Sequence, residues 1–168
     1  FQKMQKEWHL EKHCHPVSKL FKRKVVEESH VRFLTGVRFA EDYLFLFSFL
    51  NVIRNGVCIV PSSNYFYVDR PYSLVHQKPS FDEGLTLYYR VKSVTMVFCK
   101  KYNCPEGEFD IAYFLHRAIV VAESSKDLLK ISQEDWKFFV EYFKVISTKT
   151  ALDKWMVLHL YTIPSVLF

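Results

Sequence analysis

At 168 residues the chain is long enough for a domain-sized core, and its 49% hydrophobic content excludes wholesale disorder. Only 4 glycines are present, which argues against a loop-rich all-β fold and against a glycine-rich phosphate loop. A formal charge of +5 admits nucleic acid, an anionic membrane or a phosphorylated ligand, and its sign alone does not choose among them.

Residues 1–13 are charged and helix-forming in composition, and Cys14-His15-Pro16 breaks them. Residues 18–28 form a short amphipathic stretch, with Leu20, Phe21, Val25 and Val26 expected to face a core. Val31 and Phe33 approach a turn at Thr35-Gly36. Residues 41–54 are apolar on most faces; two leading acids and the trailing Asn55-Gly56 favour a helix, with Gly56 as its C-cap. Residues 57–60 read as a buried strand, and 64–69 alternate as a second strand able to pair with it. From Pro79 onward the periodicity is helical: 82–102, then a turn at 104–107, then 108–122. Ser132 with Asp135 resembles a capping box opening a helix over 133–147, and 151–168 close the chain as a last apolar helix.

The cysteines at 14, 58, 99 and 104 lack the C-x2-C spacing of a zinc site and read as reduced and cytoplasmic. His9, His13, Cys14 and His15 are the nearest thing to a metal cluster, but no second half matches them, so no metal site is expected within this chain. No apolar run reaches the ~18–20 residues of a membrane span, and the charged, His-rich start carries no secretory leader. The chain opens on Phe1, as expected of a piece of a longer protein. The basic run Lys19, Lys22, Arg23 and Lys24 lies among apolar residues at core spacing, a solvated helix face and not a nucleic-acid groove.

Glu41-Asp42 has two readings. Acids in the first turn of a helix are favoured by exposed amides and the helix dipole, by ~0.3–1 kcal/mol. The same amides can hold a carboxylate ionised and oriented as a general base. Arg70, beside Tyr65, Tyr67 and Ser73, is either a surface arginine on an edge strand or a forked donor for phosphate oxygens. The final helix, with Trp155 and Tyr161, suits a core, an interface or a membrane surface.

The order Ser18-Lys19-Leu20-Phe21-Lys22-Arg23, Val31-Arg32-Phe33, Gly36-x-x-Phe39-Ala40-Glu41-Asp42-x-x-Phe45 and Tyr65-x-Tyr67-x-x-Arg70-x-x-Ser73 resembles the C-terminal half of a family 2 glycosyltransferase, an inverting enzyme of the GT-A fold. The resemblance covers roughly residues 16–78. It implies Asp42 as the base on the acceptor hydroxyl, supported by Glu41. It implies Arg70, Ser73 and His76 near the donor diphosphate, and Lys19 and Tyr67 in the donor and acceptor cleft. A nucleotide sugar, a glycan or lipid-linked acceptor and a divalent metal (Mg or Mn) are implied for the whole enzyme. The D-x-D that would hold the metal does not occur here, so the chain alone is expected to be inactive.

The combined expectation is a helix-rich α+β fold. Residues 1–78 would be the acceptor-side part of a GT-A-like α/β catalytic domain, with short strands and a buried helix. Residues 79–168 would be a helical extension. The alternative function is a non-catalytic helical module docking on a membrane surface or a protein partner. Its basic charge and its aromatic-rich helices motivate that reading. In either case the chain is placed in the cytoplasm, with peripheral membrane contact and without nucleic acid.

Overall fold

The computed structural model describes residues 15–16, 19–37, 39–58, 79–103 and 111–146. Six helices lie among them: α1 Arg23–Glu28, α2 Glu41–Val52, α3 Phe81–Tyr102, α4 Ile111–Val120, α5 Ser125–Leu128 and α6 Gln133–Ile146. Helix α3 is the spine, packed against α2 and α4, and α4 in turn meets α6.

No strand occurs among the described residues, which corrects the expectation of a GT-A-like α/β domain. The expected strand at 57–60 fails where it can be seen. Val57 and Cys58 are exposed and outside any ladder. A short apolar run has no period that separates strand from coil. Residues 59–60, the second strand at 64–69 and the helix at 151–168 lie outside the described residues.

Helix α3 forms where the periodicity places it. Ser80 and Glu83 make a reciprocal capping box: Glu83 N–H donates to Ser80 Oγ at 3.3 Å, and Ser80 N–H donates to Glu83 Oε2 at 2.9 Å. Lys100 and Lys101 sit in its last turn, and Asn103 ends it in the left-handed region, φ 52°. One close contact sets its crossing with α4. A Cβ added at Gly84 would lie 3.1 Å from both Cα and Cβ of Ala118. Glycine lets the two backbones approach there.

Helix α2 is apolar on most faces because it is covered on most faces. Tyr43 to Phe47, Phe49 and Leu50 are buried. Phe21 meets Phe45 and Phe49 edge-on, at ring centroid distances of 5.1 and 5.0 Å, and Phe33 stacks on Phe45 at 4.2 Å. Phe47 packs against Phe98 of α3 at 5.2 Å, and both are completely buried. Each such ring contributes roughly 1.5–3 kcal/mol of burial. Leu20 behaves otherwise: it is fully exposed, because α1 begins only at Arg23 and the chain before it is extended.

Gly56 does not cap α2. The helix stops at Val52, and Ile53 is extended. Its terminal carbonyls are met by side chains from α3. Lys101 Nζ donates to Asn51 O at 2.7 Å and Ile53 O at 2.8 Å, and Tyr102 OH donates to Leu50 O at 2.9 Å. Once those acceptors are satisfied, no glycine motif is required. One hydrophobic cluster runs from Val31 through α2, α3 and α4 to Phe139, with residues from either side of position 78.

Candidate functional site

Two acid-led helix starts hold the described chemistry. The first is the Glu41-Asp42 pair, both half-buried, in the opening turn of α2. The residue before them, Ala40, is left-handed at φ 58° and offers no capping side chain. A non-glycine residue there costs about 1–2 kcal/mol, so the surroundings must hold it. Part of that hold is visible next door. The Arg117 guanidinium of α4 lies 3.7 Å from the centroid of the Phe39 ring and donates to Tyr113 OH at 3.3 Å.

Asp42 Oδ2 stands 3.2 Å from His15 Nδ1, with the imidazole 64% and the carboxylate 25% exposed. Lys19 Nζ donates to the His15 carbonyl. Two of the sequence candidates, Lys19 and Asp42, therefore meet at His15, a residue that the sequence offers only in a helix break and a metal-like cluster, and Glu41 adjoins Asp42 in the chain. Tyr67, Arg70, Ser73 and His76 lie outside the described residues.

The second start is Asp135, in the first turn of α6 and only 2% exposed. Four donors reach it or its cap. Lys92 Nζ donates to Oδ1 at 2.6 Å and Tyr88 OH to Oδ1 at 2.7 Å, both from α3. Ser132 Oγ donates to Oδ2 at 2.6 Å, and Asp135 N–H returns a bond to Ser132 Oγ at 3.1 Å. Burial pushes the Asp135 carboxyl up, but the bonds from Lys92, Ser132 and Tyr88 outweigh it, so the group sits below the usual carboxylate range. Burial first, then the bond to Asp135, drives the Tyr88 phenol far above its ordinary value. Neutral tyrosine and ionised aspartate are thus locked as donor and acceptor.

This cluster ties α3 to α6. Its carboxylate accepts three donors and is shielded from solvent, which suits a structural clamp. Sequence reasoning saw Ser132 and Asp135 only as a cap. The other signal was Tyr88-x-x-x-Lys92, whose spacing puts both side chains on one face of α3. A further buried tie, Tyr43 OH to Thr95 Oγ1 at 3.1 Å, joins α2 to α3.

Among the described residues no three His, Cys, Asp or Glu side chains are grouped to hold a metal ion. No described helix is long and apolar enough to cross a membrane. No protein family, characterised protein or solved structure matches the chain.

Proposed function

We infer that this chain is a non-catalytic helical module that docks on a protein partner. The observation that carries the reading is the use made of buried polar groups. Asp135, Tyr88 and Thr95 each join one helix to another, and the half-buried Asp42 meets an exposed histidine. Catalytic groups are commonly set in sheltered, perturbed surroundings. Here the strongly perturbed buried groups, Asp135 and Tyr88, are bonded to each other. A cytoplasmic setting is part of the proposal, on the cysteine spacing alone.

A second reading keeps Asp42 as the base of a nucleotide-sugar transferase. Its support is the strained Ala40 and the His15 contact at the head of α2. One assay separates the two. The longest chain that the reading frame encodes is incubated with uridine and guanosine diphosphate sugars and Mg2+, and sugar release is measured. Docking predicts no turnover that depends on Asp42. Turnover that falls at least ~100-fold in Asp42→Asn overturns the docking reading.

A further inference from the structure

Helix α3 buries one face against α2 and α4 and leaves the opposite face open. Tyr89, Ser93, Met96 and Lys100 recur at four- and three-residue intervals, and Arg90 and Val97 lie beside them, so the six exposed residues form one stripe about 16 Å long. Met96 is 42% and Val97 53% exposed. Tyr89 is 40% exposed, with its phenol held above its ordinary value first by burial and then by the charge of Asp135.

The cations on this helix divide into two kinds. Lys92 is bound to Asp135, and Lys101 caps α2. Arg90 and Lys100 are exposed, and neither has an ion-pair partner among the described residues. Exposed apolar side chains and unmatched positive charge therefore share one helical stripe.

We propose that this face of α3 binds an amphipathic helix of an acidic protein partner, with the partner's apolar residues on Met96 and Val97 and its carboxylates on Arg90 and Lys100. The proposal rests on the docking reading above and names the surface and the partner's chemistry. The spacing of the stripe is that of a helix-in-groove seam. A lipid surface fits less well. Asp82 lies about 12 Å before Arg90 on the same stripe, outside a partner seated over Arg90 to Lys100, whereas a flat anionic surface along the helix would meet it. A second copy fits less well too, since it brings the same unmatched cations.

The test titrates the chain into a fluorescent synthetic peptide of about three heptads, with leucine at a and d and glutamate at e and g, a pattern whose charge keeps it from pairing with itself. Saturable binding that weakens several-fold as salt rises from about 50 to 300 mM is the expected result. The double change Met96→Glu with Val97→Glu should abolish it. Arg90→Glu with Lys100→Glu should weaken it by ~10-fold or more. Lys126→Glu, on α5, should leave it unchanged. All three variants should melt with the parent, since their side chains are exposed.

No saturation, or equal binding by the two stripe variants, overturns the proposal. So does equal binding of a peptide carrying lysine at e and g. Stripe-dependent flotation with phosphatidylserine vesicles without peptide binding would replace the partner with a membrane. A sedimenting dimer broken by the Met96 and Val97 changes would replace it with a second copy. Failure of the peptide alone removes this partner and leaves the docking reading standing, which only Asp42-dependent sugar release removes.

Discussion

Asp42 and Asp135 occupy the same local position, the first turn of a helix, and lead different lives. Asp42 keeps a quarter of its side chain in solvent and meets one histidine. Asp135 is sealed between α3 and α6 and accepts from a lysine, a tyrosine and a serine. Both gain from the exposed amides at a helix start, an effect of at most about 1 kcal/mol at a surface. What separates them is the opposing helix. Asp135 faces Tyr88 and Lys92, one turn apart on α3, whereas Asp42 meets the exposed His15, which belongs to no helix. The worth of an acid at a helix start is thus set by what is packed across from it.

The sharpest way to break this comparison is Asp135→Ala. It strands the Lys92 cation and the Tyr88 hydroxyl at a closed interface. Because Lys92 retains some solvent, the lower end of the range for a broken buried pair applies, about 3 kcal/mol. That should lower Tm by roughly 10 °C in a chain of this size. A loss below ~1 kcal/mol in urea unfolding would remove the clamp from the account. Next in size is the α3–α4 crossing. Gly84→Val forces a branched side chain into Ala118 and should cost about 2 kcal/mol. Gly84→Ala should be near neutral, because a gain of about 1 kcal/mol in helix propensity offsets the tight contact. Equal stability of the two variants would mean that α4 yields freely.

Much of this architecture was legible in the chain. The stretch 82–102 appears as α3 with a boundary shift of one residue, because its apolar period is long and a serine-glutamate box marks its start. The Ser132–Asp135 spacing marked the start of α6. Helix α2 was legible as fully packed, but its end was not, since Lys101 and Tyr102 arrive from a helix far along the chain. The strand expected at 57–60 fails at its described residues, Val57 and Cys58, because a run of four apolar residues carries no period. Leu20 failed because amphipathic spacing before Arg23 meant nothing without a helix to carry it. At the candidate sites, residue types were readable and pairings were not. Nothing local in Asp135 announces Tyr88 and Lys92, 47 and 43 positions earlier. Nothing in Asp42 announces His15, 27 positions earlier.

Acid titration sharpens the contrast between the two aspartates. The Asp135 carboxyl is held below its unfolded value, near 3.9, so its contribution is present above that pH and fades as pH falls through the lower folded value. Stability followed by urea unfolding should decline below about pH 4. Asp135→Asn should flatten that decline. The raised Tyr88 phenol works at the other end: its contribution is full below about pH 10 and is lost as pH climbs above it. An Asn variant with the parent's acid slope would assign the decline to other carboxylates.

The smallest effect belongs to the acid that the sequence made most prominent. Asp42→Asn weakens one partly solvated contact with His15 and part of a dipole interaction, together worth less than about 1 kcal/mol. His15→Ala should match it, and a double-mutant cycle should give a coupling below about 0.5 kcal/mol, because the imidazole is 64% exposed. Salt should shrink both that coupling and the dipole part. A loss above 2 kcal/mol would mean that Asp42, like Asp135, is braced by the fold, and that Ala40 is held in its left-handed turn for the carboxylate's sake. A small loss makes Ala40 a matter of chain direction: the left-handed residue aims Phe39 under Arg117 and starts α2 toward α3, and the acids after it serve as a helix cap.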